Sequence, residues 1–342
     1  MVSIDEVARL AGVSTATVSR ALSGRGNVSL PTRGRVEDAA KSLGYVVSAS
    51  ASSLASGRTR NIGVLMPYLD RWFFSTVLAG IASALMRRGY DITLYSLTDD
   101  RAERRDIFDT FLRRQRVDGV IAISIELGEE ETEHLRELDL PVIAIGGPSS
   151  RLPTLTVDDV AVARLATEHL LALGHREIAH IGANPQFDID FHIPTRRRQG
   201  FELALADAGI PASPHLYEPA DFTIEGGFRA AKQLLGRPGS RPTAIFAASD
   251  EMAIGAILAA RELGYRVPED LSISGIDGHE LGEFFRLTTV DQCPRQQGER
   301  AVAALLEDID DPEAPTPQHV PGALPFELIV RGSTARPSES RG

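Results

Sequence analysis

A short stretch near the amino terminus carries side chains that suit contacts with nucleic-acid bases and phosphates. They are Thr15, Ala16, Thr17, Ser19 and Arg20. Hydroxyl groups can donate or accept hydrogen bonds, and the planar fork of an arginine pairs with guanine or with phosphate. Ala16 offers only an apolar contact, for example to a thymine methyl group. The pattern favours a DNA-reading surface, and the alternative is the solvated face of an ordinary helical hairpin.

Two short helices joined by a tight turn would hold these side chains on one face. Ser3 and Glu6 form a Ser-x-x-Glu capping box, which predicts the start of the first helix. Gly12 permits the left-handed backbone of a sharp turn, and Ser14 is placed to cap a second helix over Thr15–Leu22. The predicted buried faces consist of Val7, Ala8, Leu10, Ala11, Val13, Val18, Ala21 and Leu22. A helix-turn-helix of this kind places its second helix in the DNA major groove.

The rest of the amino-terminal region predicts a small helical head and a linker. A third helix is expected over residues 31–43, and Gly44 ends it. Residues 48–57 have the small, polar composition of a linker, although Ala51, Leu54 and Ala55 keep helical spacing. Residues 1–60 contain eight basic and four acidic side chains, whereas the whole chain has a net charge of −11. This distribution suits a head that meets phosphate and a body that does not.

Composition restricts the class of protein. The chain has 342 residues, of which 43% are hydrophobic, so one or two further domains with a sizeable core are expected. The single cysteine, Cys293, excludes an internal disulfide and a cysteine-based zinc site. No apolar run is long enough for a transmembrane helix, and the first residues lack the pattern of a signal peptide. We therefore expect a cytoplasmic protein.

From Asn61 onward, apolar runs of strand length alternate with helical patterns. Strands are predicted over residues 62–66, 92–95, 120–123, 142–145, 178–181, 244–248 and 271–276, with a short one near 326–330. Helices are predicted over 73–88, 101–115, 129–138, 160–173, 195–208, 224–235, 251–263 and 294–307. The alternation predicts an α/β core of two doubly wound units, with a ligand cleft between the carboxyl ends of their strands.

Motifs of common enzymes are missing from the sequence. There is no Gly-x-Gly-x-x-Gly after a strand, no phosphate-loop Lys-Ser/Thr and no Gly-x-Ser-x-Gly elbow. His169, His175 and His180 are close in sequence, but their spacing matches no usual metal motif, so packed or solvated histidines are expected. The residues favour a protein that is not an enzyme and binds no metal. An enzyme on the same core and an extracytoplasmic sugar-binding protein are the alternatives.

Several motifs resemble those of the lactose-repressor (LacI/GalR) family of bacterial transcription regulators, and the match covers nearly the whole chain. The most specific motif is residues 5–22, followed by Asn27-Val-Ser29 and Thr32-Arg33. Further matches are Leu43-Gly-Tyr45, Ile62-Gly-Val64, Arg197-x-x-Gly-Phe201, Ser249-Asp-Glu-Met-Ala253, Gly275-Ile-Asp277, Leu287-Thr-Thr-Val290 and residues 292–298. The resemblance implies a helix-turn-helix DNA-binding head, a hinge helix and a periplasmic-binding-protein-like core of two doubly wound parallel-sheet subdomains.

The resemblance also implies boundaries for these parts. The head would span residues 1–46, the hinge 47–60 and the effector-binding, dimerising core 61–335, followed by a disordered tail over 336–342. Within the core, one subdomain would contain about 61–158 and 291–322, and the other about 159–290 and 323–335. The absence of leucine heptads near the carboxyl terminus favours a homodimer over a tetramer.

Carried over by position, the resemblance assigns roles to residues of the head and hinge. Thr15 and Ala16 would read bases in a near-palindromic operator. Phosphates or neighbouring bases would be contacted by Ser14, Thr17, Ser19 and Arg20, with further backbone contacts from Ser3, Asn27, Ser29 and Thr32. Ala51 and Leu54 would contact the minor groove, with Leu54 as a wedge. Val47 and Ser52 replace the proline and the basic residue usual in the family's hinge, and a plain flexible tether is the alternative.

For the core, the resemblance implies a small-molecule effector between the two subdomains and no other cofactor. The candidate effector-binding residues are Asp70, Trp72, Phe73, Phe74, Arg197, Phe222, Asp250 and Asp277. Aromatic faces together with carboxylates and an arginine suit a sugar. Alternatively, Phe73 or Phe74 belongs to the core, Asp250 caps the following helix, and Arg197 and Asp277 form a structural ion pair; Asp158 and Asp159 are weaker candidates. The expected function is a repressor of sugar-uptake or sugar-catabolism genes that a carbohydrate releases from its operator.

Overall fold

The computed structural model describes residues 2–22, 27–45, 58–97, 100–114, 116–147, 152–183, 192–239, 242–311 and 324–338. The chain divides into two compact units, which we call the head unit and the core unit. The head unit contains Met1–Asn61 with Gln115–Asp118, and the core unit contains Ile62–Arg114 and Gly119–Gly342. The predicted hinge contacts, Ala51 and Leu54, lie outside the described residues, as do Val47 and Ser52.

Three helices form the head unit: α1 (Ile4–Ala11), α2 (Thr15–Leu22) and α3 (Leu30–Leu43). The predicted capping box is confirmed, because the Ser3 N–H donates to Glu6 Oε2 at 2.8 Å and the Glu6 N–H donates to Ser3 Oγ at 3.4 Å. Gly12 ends α1 in the left-handed region with φ of 66°, which a side chain would disfavour. The Ser14 hydroxyl accepts from the Thr17 N–H at 3.2 Å, so the predicted cap of α2 is also confirmed.

The small core of the head combines residues from the predicted apolar faces of α1 and α2 with residues of α3, and the predicted Val13 and Leu22 are only half-buried against it. Buried side chains are Val7, Ala8, Ala11, Val18, Ala21, Val36, Ala39 and Ala40. The prediction for Leu10 is wrong, because 57% of this residue is exposed. Successive residues of a helix are about 100° apart, so Leu10 lies roughly 100° from the centre of the face that Val7, Ala8 and Ala11 define.

The core unit begins with a five-stranded sheet in the order β2-β1-β3-β4-β5. Its strands are β1 (Asn61–Met66), β2 (Asp91–Ser96), β3 (Gly119–Ile123), β4 (Val142–Gly146) and β5 (Thr154–Thr156), and its helices are α4 (Trp72–Arg87), α5 (Arg101–Asp106) and α6 (Glu129–Glu137). The pairs β1–β3, β3–β4 and β4–β5 are parallel. Strands β3 and β4 are buried along their whole length, as expected when helices cover both faces. The predicted helix over 101–115 is regular only to Asp106 and continues in irregular turns to Arg114.

A second sheet has six strands in the order β11-β10-β9-β8-β6-β7. They are β6 (Ile178–Ala183), β7 (Tyr217–Ala220), β8 (Ala244–Ala247), β9 (Ser272–Asp277), β10 (Thr288–Asp291) and β11 (Glu327–Ile329). The associated helices are α7 (Asp159–Ala172), α8 (Ile193–Asp207), α9 (Ile224–Gly236) and α10 (Asp250–Glu262), and the last helix of the chain is α11 (Pro294–Asp310). Only β11, paired antiparallel to β10, departs from the parallel pairing of the described strands in this sheet.

The chain crosses between the two sheets more than once. After β10, helix α11 returns to pack on α4 and on strands β3 and β4 of the first sheet. A Cβ atom at Gly80 of α4 would collide with the carbonyl of Arg295, and one at Gly298 of α11 with the carbonyl of Val77, so these helices touch backbone to backbone. We call the first sheet with α4–α6 and α11 the first lobe, and the second sheet with α7–α10 the second lobe.

Three strands and one terminal segment differ from the predictions. Strands β5, β7 and β10 were not predicted; they are only three or four residues long, and β10 begins with two threonines that are completely buried. Beyond β11, Ser333 is buried and its hydroxyl donates to the Ile273 carbonyl at 2.6 Å. Residues 336–338 of the predicted disordered tail are described. Among the described helices, none is long and apolar enough to cross a membrane.

Candidate functional site

A cavity of about 280 Å³ lies between the two lobes of the core unit. This volume is close to the lower end of the ~300–1,000 Å³ typical of small-molecule sites. Its lining comes from segments that follow the carboxyl ends of strands in both sheets, including Ser124 after β3, Gly146 of β4, Phe222 after β7 and Asp277 of β9. This is the place where doubly wound folds bind their ligands.

Arg197 and two carboxylates form the polar centre of the cavity wall. Arg197 Nε donates to Asp159 Oδ1 at 2.9 Å, and Nη1 donates to the Ala248 carbonyl at 2.6 Å. The same Nη1 lies 3.7 Å from Asp277 Oδ1, which accepts a hydrogen bond from Gln292 Nε2 at 2.8 Å. Arg197, Asp159 and Asp277 are all buried and all line the cavity. Arg197 and Asp277 therefore lie close enough to form an ion pair, as the alternative interpretation suggested, and they also line the cavity.

Burial makes the charged forms of both carboxylates costly. Desolvation raises the pKa of Asp159, against the favourable charge of Arg197. Desolvation also raises the pKa of Asp277 well above its ordinary value; Arg197 opposes this rise, and the nearby Asp250 and Glu251 add to it. One guanidinium thus serves two buried carboxyl groups, and negative charge is costly at the centre of the cavity.

Aromatic rings supply the apolar part of the wall. Phe73 and Phe74 of α4 line the cavity together with Tyr68, and their two rings meet edge to face with centroids 5.6 Å apart. Phe74 is also part of the hydrophobic core, so the two interpretations of this residue are compatible. Phe222 faces them from the second lobe and has a left-handed backbone with φ of 57°, an uncommon conformation for a residue with a side chain.

Three predicted residues do not line the cavity. Asp70 is exposed, and Trp72 stacks on His279 of the second lobe, with ring centroids 4.5 Å apart. Asp250 lies behind the wall, where its Oδ2 accepts from the N–H groups of Gly278 and His279 and from the Thr289 hydroxyl. Burial raises the pKa of Asp250 to about 6, even though these three donors favour its charged form.

The positions of these residues follow from their place in the helices. Around the start of α4, successive side chains diverge by about 100°, so only some members of residues 70–74 can face one cavity. The suggestion that Asp250 caps α10 is wrong, because Ser249 is the cap and its hydroxyl accepts from the Met252 N–H at 3.3 Å. Asp158, a weaker candidate, caps α7 by accepting from the Ala161 N–H at 3.1 Å.

Sequence reasoning missed several lining residues. The sequence indicates Asp159 only as a weaker candidate for effector binding. Gln292 and Gln297 belong to the motif over residues 292–298, to which no binding role is assigned. The cavity is further lined by Arg71, Ser124, Asp221, Ser249 and Glu251. Glu251 accepts a hydrogen bond from the Trp72 backbone; desolvation raises its pKa, whereas the charge of Arg71 lowers it. The sequence feature that could have identified these lining residues is their position next to the end of a strand or the start of a helix.

The exposed face of α2 carries the side chains first noted in the sequence. Thr15, Ala16, Ser19 and Arg20 are exposed, whereas Thr17 is half-buried and shares a 2.9 Å hydrogen bond with Ser14. Arg20 Nε donates to the Ala16 carbonyl one turn earlier at 3.2 Å, which holds the side chain along the helix. Of the other predicted contacts, Ser3 and Ser29 act as helix caps, Asn27 is exposed and Thr32 is half-buried.

The three histidines near β6 are packed rather than grouped around a site. His180 is completely buried, and its ring packs against both Phe201 and Phe246, with both centroid distances at 4.9 Å. Burial lowers its pKa to about 4, so the ring is neutral at physiological pH. His175 shares hydrogen bonds with Thr243, Ser272 and the Ala335 carbonyl.

Two family models match the chain. The model described as bacterial regulatory proteins of the lacI family matches residues 3–48, and the periplasmic binding protein-like domain matches residues 167–334. The HTH-type transcriptional repressor PurR of Vibrio atlanticus is 37% identical over 316 residues, which are 91% of this chain and 93% of that protein.

Solved structures extend the comparison over nearly the whole chain. The complex of the transcriptional regulator CelR with cellobiose has 30% sequence identity and a TM-score of 0.71, with coverage of 97% of this chain and 100% of that one. The lac repressor dimer bound to operator and an anti-inducer has 28% identity and a TM-score of 0.84, with coverage of 98% and 99%.

Proposed function

We propose that this chain, which belongs to the lacI family of bacterial regulatory proteins, represses genes under the control of a carbohydrate that binds between its two lobes. Membership in the family makes the chain a DNA-binding transcriptional regulator and not an enzyme. The finer parts of the proposal concern the operator, the assembly and the effector. Because the protein acts on bacterial DNA, the proposal places it in the cytoplasm.

For the operator, the proposal is a near-palindromic site read by two heads of a homodimer. Thr15 and Ala16 read bases from the start of α2, while Ser14, Thr17, Ser19 and Arg20 contact phosphates or neighbouring bases. The exposure of Thr15, Ala16, Ser19 and Arg20 on α2 supports this assignment. A related solved structure, the lac repressor, is a dimer on its operator, and two-fold symmetry of a protein corresponds to two half-sites in DNA.

For the effector, the observation that carries the proposal is the arrangement around Arg197. The buried Arg197 guanidinium can donate to sugar hydroxyls, and the carboxylates of Asp159 and Asp277 beside it can accept from them. The faces of Phe73, Phe74 and Phe222 can stack on sugar C–H groups. The neighbouring CelR structure holds cellobiose, which agrees with a carbohydrate in a core of this kind.

The proposed control works through the relative position of the lobes. A ligand that contacts both lobes stabilises one angle between them, and a ligand shifts an equilibrium only by its different affinity for the two states. The linker that follows the head responds to this angle between the lobes. The sugar acts as an inducer, because the angle that it stabilises weakens operator binding. The genes controlled are those of sugar uptake or catabolism.

The test separates the two activities in the full-length chain. Operator sequences are selected from genomic fragments, and mono- and disaccharides are screened by thermal shift, because a ligand specific for the folded cavity raises the melting temperature. Arg20→Ala is expected to weaken operator binding at least about tenfold and to leave the sugar-induced shift unchanged. The proposal is wrong if no DNA fragment is selected or if the Arg20→Ala protein binds operator as the unmodified chain does.

A further inference from the structure

The polar groups around the cavity accept more hydrogen bonds than they donate. Among the described lining residues, four are carboxylates and two are arginines. Of the two guanidinium groups, Arg197 already donates to Asp159 and to the Ala248 carbonyl. Gln292 is likewise engaged, because its side-chain amide donates to Asp277. Among the charged lining residues, acceptors therefore outnumber donors.

Gln297 adds an acceptor that no residue of the described chain satisfies. This residue lies on α11, is 1% exposed and lines the cavity. Its Nε2 donates to the Gln292 carbonyl at 2.8 Å, which fixes the orientation of the amide. The buried Oε1 then has no hydrogen-bond partner among the described atoms. A buried carbonyl oxygen without a partner is costly, and a donor supplied by a ligand would remove that cost.

The charges around the cavity also favour a ligand that donates hydrogen bonds and carries no negative charge. Asp159 and Asp277 share Arg197, and the charge of the fully buried Asp250 acts on Asp277. Burial raises the pKa of each of these carboxyl groups, so negative charge is already costly here and a further anion would add to that cost. Glu251 is near Arg71 at the edge of the cavity, so this second arginine does not offset the carboxylates at the centre.

We propose that the cavity selects carbohydrates without negative charge, which donate hydroxyl or ammonium hydrogens to Asp159, Asp277 and Gln297, and that it rejects sugar phosphates and uronic acids. This inference rests on the carbohydrate function proposed above and narrows it. Gln297 is a specificity-determining residue in this account. An anionic sugar would place a further negative charge beside buried carboxylates that one guanidinium already serves, and desolvation makes such an arrangement unfavourable.

The first part of the test needs no mutation. Isothermal titration of the full-length chain compares D-glucose, D-galactose, D-ribose, D-glucosamine and cellobiose with the phosphate monoesters and uronic acids of the monosaccharides. For each sugar that binds, we expect the anionic derivative to bind at least about 100-fold more weakly. A phosphate or uronate that binds as tightly as its parent sugar overturns the inference but leaves the proposed function intact. If only anionic derivatives bind, the inference is also wrong; if none of these compounds binds, the carbohydrate function falls with it.

The second part addresses Gln297 with a matched control on the same helix. Gln296 is the adjacent residue of α11 and is exposed, so Gln296→Leu tests the effect of the substitution away from the cavity. We expect Gln297→Leu to weaken binding of the best sugar about tenfold and Gln296→Leu to leave it unchanged. Operator affinity and the melting temperature without ligand report whether each variant folds. Equal sugar affinity of a folded Gln297→Leu protein and the unmodified chain contradicts the assignment.

Discussion

Single buried polar residues determine the chemistry of the core unit. Arg197 is surrounded by groups that need its charge, and Asp250 braces the turn after β9 by accepting from two backbone N–H groups. The loss of one member of such a set leaves the others buried without a partner, which costs more than the loss of an exposed contact. In the proposed site, ligand binding and stability would therefore depend on the same side chains.

Replacement of Arg197 should reveal both roles. We expect Arg197→Ala to abolish sugar binding and to lower the free energy of unfolding by about 3–5 kcal/mol, because Asp159 and Asp277 lose their shared partner. Arg164 offers a matched control, since it pairs with Glu168 and Asp207 on the surface. Urea denaturation should place Arg164→Ala near the unmodified chain. An Arg197→Ala protein that retains full sugar affinity would contradict the site.

His180 should make the stability of the core depend on pH. Its pKa is about 4 in the folded chain and about 6.5 in an unfolded one, so the unfolded state binds more protons between these values. Stability is then full above pH 6.5 and falls by about 3 kcal/mol as the pH drops towards 4. The ring faces Phe201, Phe246 and Tyr217, and the charge of the nearby Arg198 lowers its pKa further.

Variants isolate this effect from the carboxylates that titrate in the same range. Asn keeps a donor close to the position of Nδ1, which donates to the Phe246 carbonyl at 3.1 Å, but it does not titrate. Urea denaturation across this pH range should show a flatter stability curve for His180→Asn than for His215→Asn, an exposed control. Parallel curves for the two variants would show that His180 does not supply the dependence.

Much of the candidate site could be predicted from residue types and from the expected ends of strands. Phe73, Phe74, Arg197, Phe222 and Asp277 were predicted from motif position, and the fold brings them to one cavity. The direction of each side chain was not available from the sequence, which is why Trp72 turns to His279 instead. Gln297 gave no signal because the need of its Oε1 for a partner exists only in the packed structure.

At the scale of elements, local rules predicted the helices of the head and most of the core. Caps and left-handed glycines fixed the limits of α1 and α3. The unpredicted strands β5, β7 and β10 are short, and their pairing depends on neighbours that are distant in sequence. Strand β10 is polar by composition and becomes buried only because β9 and β11 flank it.

Gly12 and Gly34 of the head should respond in opposite ways to alanine. Gly12 has φ of 66°, so Gly12→Ala forces a left-handed backbone on a residue with a side chain and should destabilise the head by about 1 kcal/mol. Gly34 lies inside α3 with open space around its Cβ position, and Gly34→Ala should stabilise by about 0.5–1 kcal/mol. Thermal denaturation followed by circular dichroism tests the signs, and a stabilising Gly12→Ala would refute the turn.

The predicted hinge helix is a further element, and its residues Ala51 and Leu54 lie outside the described residues. If Leu54 is a minor-groove wedge, Leu54→Ala should weaken operator binding at least about tenfold, because the wedge stabilises the bent DNA. Ser53→Ala serves as the control beside it. Fluorescence anisotropy with labelled operator measures both affinities. Unchanged affinity for Leu54→Ala would make the segment a tether.

At the scale of the whole molecule, sensing and DNA reading lie on separate compact units. The head is basic in an otherwise acidic chain, so its attraction to phosphate is not shared by the rest of the sequence. The cavity lies entirely within the core unit, between lobes joined by repeated crossings of the chain. A carbohydrate that binds in the cavity, as proposed, would act on DNA binding through a change in the core unit.

Operator affinity measured with and without the bound sugar tests this coupling most directly. Fluorescence anisotropy of the full-length chain on its selected operator gives the Kd, first alone and then with the tightest-binding uncharged sugar at saturation. We expect the sugar to raise the operator Kd at least about tenfold, a coupling of roughly 1.4 kcal/mol, and Arg197→Ala to remove this response. An operator Kd that stays unchanged or falls when the sugar is added would contradict this coupling.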